Sequence, residues 1–255
     1  MGRPHIEFIH STDVPARALA DGPFAGASAR VLSEDDETGA FTALVELEPG
    51  AGVELSGADR AVELFGLRGD VTLAGQPFGP GAYAFVGPGA ERTRLEAGSG
   101  GLVLAMIEES GLDRQEGPVE VIDTNQMRLD DHGVAGVPPG LVIKLLHVDR
   151  ARGDWTWICA GPPGWQEDRA EIHPTVEEAL VLRGDVLLGE RGGMVAGDYF
   201  WRAPNVRHGP MYSRGGNLIF FRTKGGGMDV TWEAVPGWQA LVDAYRDVEP
   251  FYLGA

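Results

Sequence analysis

Two stretches of this chain repeat one another, and that repeat limits the possible folds more than any other feature. Leu64 to Ala74 reads LFGLRGDVTLA and Ala179 to Gly189 reads ALVLRGDVLLG, a shift of 115 positions. Gly81 to Gly89 (GAYAFVGPG) then corresponds to Gly197 to Asn205 (GDYFWRAPN) at a shift of 116. Two blocks in the same order at nearly one offset point to a duplicated unit of about 110 to 120 residues. The copies differ in chemistry. The second carries His173, Glu177 and His208, where the first has Ala58, Val62 and Arg92.

Short apolar runs closed by Gly and Pro turns fill both copies: FTALVELEPG, GAYAFVGPG, LVLAMIEE, LVIKLLHV, DWTWICAGPPG and NLIFFRT. Their length and their β-branched and aromatic content predict strands. The 38 glycines fit many tight turns between them. One segment has helical spacing: in PGWQALVDAYRDV, Trp238, Leu241, Val242 and Tyr245 share a face behind Pro236. The pattern predicts an all-β chain of two similar halves with a short C-terminal helix. The stretch from Glu108 to Gly140 is polar and Pro-Gly rich, with PVEVID as its one convincing strand. A boundary near residue 115 is expected, giving domains 1–115 and 116–255.

A net charge of −17 argues against nucleic acid and anionic membrane surfaces, which select a positive face. One cysteine, Cys159, rules out an intrachain disulfide and suits a reducing compartment. No apolar run approaches the roughly 18 residues of a membrane helix. The expectation is a cytoplasmic protein with a small-molecule partner. Exposed sheet edges would favour pairing into a homodimer.

Glu171-Ile-His173-Pro-Thr-Val-Glu177 is followed by six residues and Gly184; later, Gly197 leads to Pro204, and His208 lies four residues beyond. Glu171 and His173 share strand parity with Glu177, so these side chains can converge, and His208 must come from another strand. Two imidazoles and a carboxylate make a facial set that suits Fe(II), with Mn, Ni or Zn also compatible. This arrangement resembles the two-part motif of the cupin superfamily. The resemblance covers about 35 residues of the second half, and the repeat extends it to the first. It implies two tandem cupin (double-stranded β-helix, jelly-roll) barrels, a bicupin whose N-terminal barrel has lost its ligands. The family usually has a histidine where this chain has Glu171. That residue is left as a fourth ligand, a catalytic base beside the metal, or an exposed strand-end residue.

Trp155, Trp157, Tyr199 and Trp201 lie near the ligand blocks. They suit an aromatic or conjugated substrate, or else the barrel core. Arg183 and Arg202 are candidates to clamp a substrate carboxylate. Cys159 is read as a small buried hydrophobe. By fold-level analogy, the resemblance implies an Fe(II)-type dioxygenase acting on an aromatic or dicarbonyl/acid substrate. Two alternatives remain: an isomerase, lyase or decarboxylase using the metal as a Lewis acid, and a ligand- or zinc-binding protein without turnover.

Overall fold

The computed structural model describes residues 2–56, 59–91, 93–110, 118–130, 136–226 and 229–247. The chain divides into two compact units. One comprises the residues up to Arg128 apart from His5–Phe8; the other comprises His5–Phe8 and the residues from Leu129 onward. The break therefore falls beyond residue 115 but within the Glu108–Gly140 stretch, and Val121–Asp123 of PVEVID forms a strand of the first unit. Ala58, Arg92 and His132 lie outside the described residues, as does the chain around residue 115.

In the first unit the main sheet runs Val121–Asp123, Ala82–Val86, Arg60–Leu73, Arg94–Ser110, Phe41–Leu47, Ser28–Glu34 and Arg17–Ala18. In the second it runs Ile6–His10, Asp198–Arg202, Val176–Leu188, Asn217–Lys224, Asp154–Gly161 and Val142–Asp149. The registered neighbours are antiparallel. Each repeated block holds the equivalent place in its sheet. The fold is an all-β jelly roll with one short α-helix among the described residues, Trp238–Asp247. That helix buries Trp238 and Val242 against Leu187 and Tyr212, as its spacing predicts.

The shared RGD triplet has a physical cause. The long strand of each unit shifts register just before it, between Gly66 and Arg68 and between Val181 and Arg183. Gly69 and Gly184 then adopt φ of 98° and 81°. A Cβ on Gly184 would lie 1.9 Å from the Gly216 carbonyl oxygen, and one on Gly69 would lie 2.2 Å from that of Gly100. Only glycine permits both the positive φ and this backbone approach.

A second shared device is polar. Tyr83 donates to the buried Glu63, and Tyr199 donates to the buried Glu178 at 2.6 Å. Glu178 also receives the Arg222 Nε hydrogen at 2.6 Å. Alternation along Val176–Leu188 turns Glu178 to the sheet face opposite Glu177, Ala179 and Val181.

The interior of the first unit is apolar. Val62, Leu64, Leu73, Phe78 and Leu95 pack together with no solvent exposure. The interior of the second is built on Ala179, Val181, Phe200 and Ile219, with Phe8 packed against them.

Candidate metal centre

Four elements of the second unit bring the candidate ligands together. Glu171 ends the short strand Arg169–Ile172, which pairs with Thr231–Ala234 opposite Trp232. His208 is bound to it through the backbone: Glu171 N–H donates to the His208 carbonyl at 2.8 Å, and His208 N–H returns to Glu171 at 3.1 Å. Pro174 ends the strand after His173. Asn205 N–H fixes that turn by donating to the His173 carbonyl at 2.8 Å. Glu177 opens the long strand Val176–Leu188, between Thr223 on one side and Arg202 on the other.

Ligand atoms of His173, Glu177 and His208 lie within 4.8 Å of one another, the one such cluster among the described residues. All three side chains are buried. Glu177 Oε2 stands 3.8 Å from His173 Nε2 and 3.5 Å from His208 Nε2. Glu171 joins the set through His208, with Oε1 at 2.9 Å from Nε2.

The tautomers are set locally. His208 Nδ1 lies 2.9 Å from the Val206 carbonyl, and His173 Nδ1 lies 3.2 Å from the Thr175 carbonyl. A carbonyl only accepts, so Nδ1 carries a proton in each ring and Nε2 is the nitrogen that faces the carboxylates of the cluster. Thr175 Oγ1 adds a contact to His173 Nδ1 at 2.8 Å. Both Nε2 atoms are buried without a hydrogen-bond partner. Two imidazole nitrogens and the carboxylates of Glu177 and Glu171 crowded into one buried space form a donor set that fits a divalent ion.

Charge follows from this crowding. Burial pushes the Glu177 carboxyl upward, but His173, His208 and Arg202 outweigh it and hold the pKa at about 2. Burial pulls His173 down, while the neighbouring Glu177 and Glu171 charges raise it above its ordinary 6.5. Burial pushes the Cys159 thiol up to about 12, reinforced by the charges of Glu177 and Glu171.

Of the side chains expected around the ligands, Trp155 and Trp157 lie on the site's face of the sheet. There they pack with Cys159 and Phe221. Trp157 stacks on Phe221 with ring centroids 4.6 Å apart. Tyr199 and Trp201 lie on the opposite face, because strand alternation gives the interior to Phe200 and Arg202. Arg183 is exposed beside the RGD bulge at the far end of the strand, away from the ligands.

Arg202 is 1% exposed and donates to Glu177 Oε2 at 3.0 Å. Thr175, Thr223 and Glu7 are parts of the site that motif spacing did not mark. In unit 1, Val62 stands in the apolar core and the Ser56 hydroxyl accepts the Thr93 N–H at 2.6 Å. Neither of these places offers a metal a free donor.

Residues 120–226 match the family model described as the ChrR Cupin-like domain, so the chain contains a cupin-like domain. No curated protein matches the chain in sequence. Among solved structures, a candidate dioxygenase from Nostoc punctiforme superposes with a TM-score of 0.72 at 20% identity, covering 92% of each chain. A candidate glyoxylate-induced protein from Pseudomonas aeruginosa gives 0.65 at 20% identity, covering 85% of this chain and 88% of that one. A deletion variant of Bacillus subtilis oxalate decarboxylase gives 0.55 at 15% identity, covering 96% and 84%. These likenesses establish the jelly-roll fold.

Proposed function

We propose that the chain is a bicupin whose second unit is a metal-dependent enzyme of small-molecule metabolism. The reaction proposed is that of an Fe(II)-type dioxygenase acting on an aromatic or dicarbonyl/acid substrate. One observation carries it: two buried imidazoles and the buried Glu177 carboxylate bring their ligand atoms within 4.8 Å of one another. The first unit, with Val62 and Ser56 at ligand places, serves as scaffold.

His173, Glu177 and His208 would hold the ion, and Thr175 and Val206 would fix the ring orientations. An Fe(II) ion held this way supplies redox chemistry with O₂ and a Lewis-acidic centre for a chelating substrate. The protein supplies the rest. Trp155, Trp157 and Phe221 form an apolar wall that orients a flat substrate and excludes water. The likeness to a candidate dioxygenase supports this choice.

One observation favours a second reading. Glu171 Oε1, 2.9 Å from His208 Nε2, is a carboxylate beside the ligand set that can take a proton from substrate. That role fits a lyase or decarboxylase with a redox-inert metal.

Anaerobic reconstitution with Fe(II), followed by oxygen uptake against a panel of aromatic and dicarbonyl acids, separates the two. Oxygen consumed in proportion to substrate lost, and absent with Zn, supports the dioxygenase. Equal turnover without oxygen, or with Zn, contradicts it in favour of the second reading.

A further inference from the structure

We infer that Arg202 is a carboxylate anchor, so that the substrate of the proposed metal site carries a carboxylate group on a flat apolar body. This rests on the metal reading above and specifies the substrate class it takes.

The guanidinium is buried, yet only Nη1 makes a hydrogen bond, to Glu177. Nε and Nη2 have no hydrogen-bond partner. Those two N–H groups form the side-on edge that holds a carboxylate through two parallel bonds. A buried, half-satisfied guanidinium is costly unless a ligand completes it. Glu7 Oε1 lies 3.9 Å from Nη2, beyond hydrogen-bond reach, and the Glu7 carboxylate is already bound by Arg191 through Oε2.

Position supports the assignment. Trp155, Thr223, Glu177 and Arg202 are cross-strand neighbours in one row, on one face of four adjacent strands. Thr223 Oγ1 is a buried hydroxyl without a hydrogen-bond partner, on the other side of Glu177. At strand spacing, Thr223 and Arg202 are roughly 10 Å apart and flank the ligand set. One level deeper runs an aromatic floor. Trp157 stacks on Phe221, Phe221 meets Phe200 edge-on at 6.2 Å, and Arg202 lies 3.8 Å over the Phe200 ring. Ala179 stands between Phe221 and Phe200 in that level, and its small side chain lets the two rings meet beneath Glu177.

Charge balance makes anchoring depend on the ion. Arg191 and Arg202 stand against Glu7, Glu171 and Glu177. A divalent ion turns that local balance from one excess negative charge into one excess positive charge. A single carboxylate then neutralises the site.

The test is calorimetric titration of benzoate, with benzamide as the neutral match, into metal-loaded wild type, Arg202→Lys and Arg202→Gln, each with its metal content measured. Lysine keeps the charge beside Glu177 but lacks the planar fork. The expected result is benzoate binding to wild type, at least about tenfold tighter than benzamide, weakened about thirtyfold or more in both variants while metal stays near one equivalent. Unchanged benzoate affinity in Arg202→Lys overturns the inference. So does loss of metal in that variant, which would make Arg202 a support for Glu177. Wild type that takes no metal at all defeats the metal reading and this inference together, and the metal measurement identifies that case.

Discussion

Thr175 offers a single-residue test of how His173 is held. Its hydroxyl and carbonyl both meet His173 Nδ1. Thr175→Val deletes the hydroxyl, keeps the carbonyl and keeps the shape. Metal affinity should fall about tenfold, the scale on which an outer partner of a ligating histidine acts, measured by competition with a chromogenic chelator. Unchanged affinity would mean that the carbonyl alone fixes the ring. Cys159 gives a test of burial. Its thiol is raised from 9.0 to about 12, so the native state holds the neutral form over that window and the reactive thiolate is absent at pH 8.5. Iodoacetamide at pH 8.5 should label native protein hardly at all and label it stoichiometrically in urea. The sign for stability follows. The unfolded thiol ionises first as pH rises, so this group's contribution to folding is lost above about pH 9. The sequence exposed His173, Glu177 and His208 because their spacing is local. Thr223 and Glu7 stayed hidden, since they reach the site only through cross-strand register.

At the level of strands and turns, two substitutions separate local strain from site chemistry. Gly184→Ala should cost about 3 kcal/mol, because it combines positive φ with a Cβ 1.9 Å from a backbone oxygen. Gly164→Ala, with φ of +78° and open space around it, should cost only about 1 kcal/mol. Urea denaturation measures both, and equal costs would contradict the close-approach account of the RGD turn. Glu178→Gln takes the carboxylate from Arg222 and Tyr199, so a loss of about 3–5 kcal/mol is expected with metal content unchanged. Metal loss in that variant would show that the two faces of Val176–Leu188 are not separate in function. Strand identity was legible here because apolar runs and turn glycines are short-range signals. Which face each aromatic occupies was less so. Tyr199 and Trp201 sit beside ligand blocks in sequence, yet the alternation of Asp198–Arg202 gives the site to Phe200 and Arg202. The short pairing of Arg169–Ile172 with Thr231–Ala234, which seats Glu171, joins segments about sixty residues apart and left no local trace.

Across the whole molecule, the two units share one strand order, and among the described residues the second alone carries a candidate metal site. Repeated blocks in the sequence recur as equivalent strands in two sheets of the same order, which is why the architecture was legible from a single chain. The edge position that residues 5–8 take in the second unit was not, because nothing in IEFIH specifies its partner. No helix among the described residues is long and apolar enough to cross a membrane. Binding an ion at one site should stabilise the fold by mass action, about 2.7 kcal/mol at a hundredfold excess over Kd, so chelation should lower the melting temperature reversibly. The most direct measurement is the metal content of protein purified without added metal, compared with His208→Ala. About one equivalent per chain in wild type, lost in the variant, is the predicted result. Wild type that carries no metal and takes none up under anaerobic titration would contradict the account.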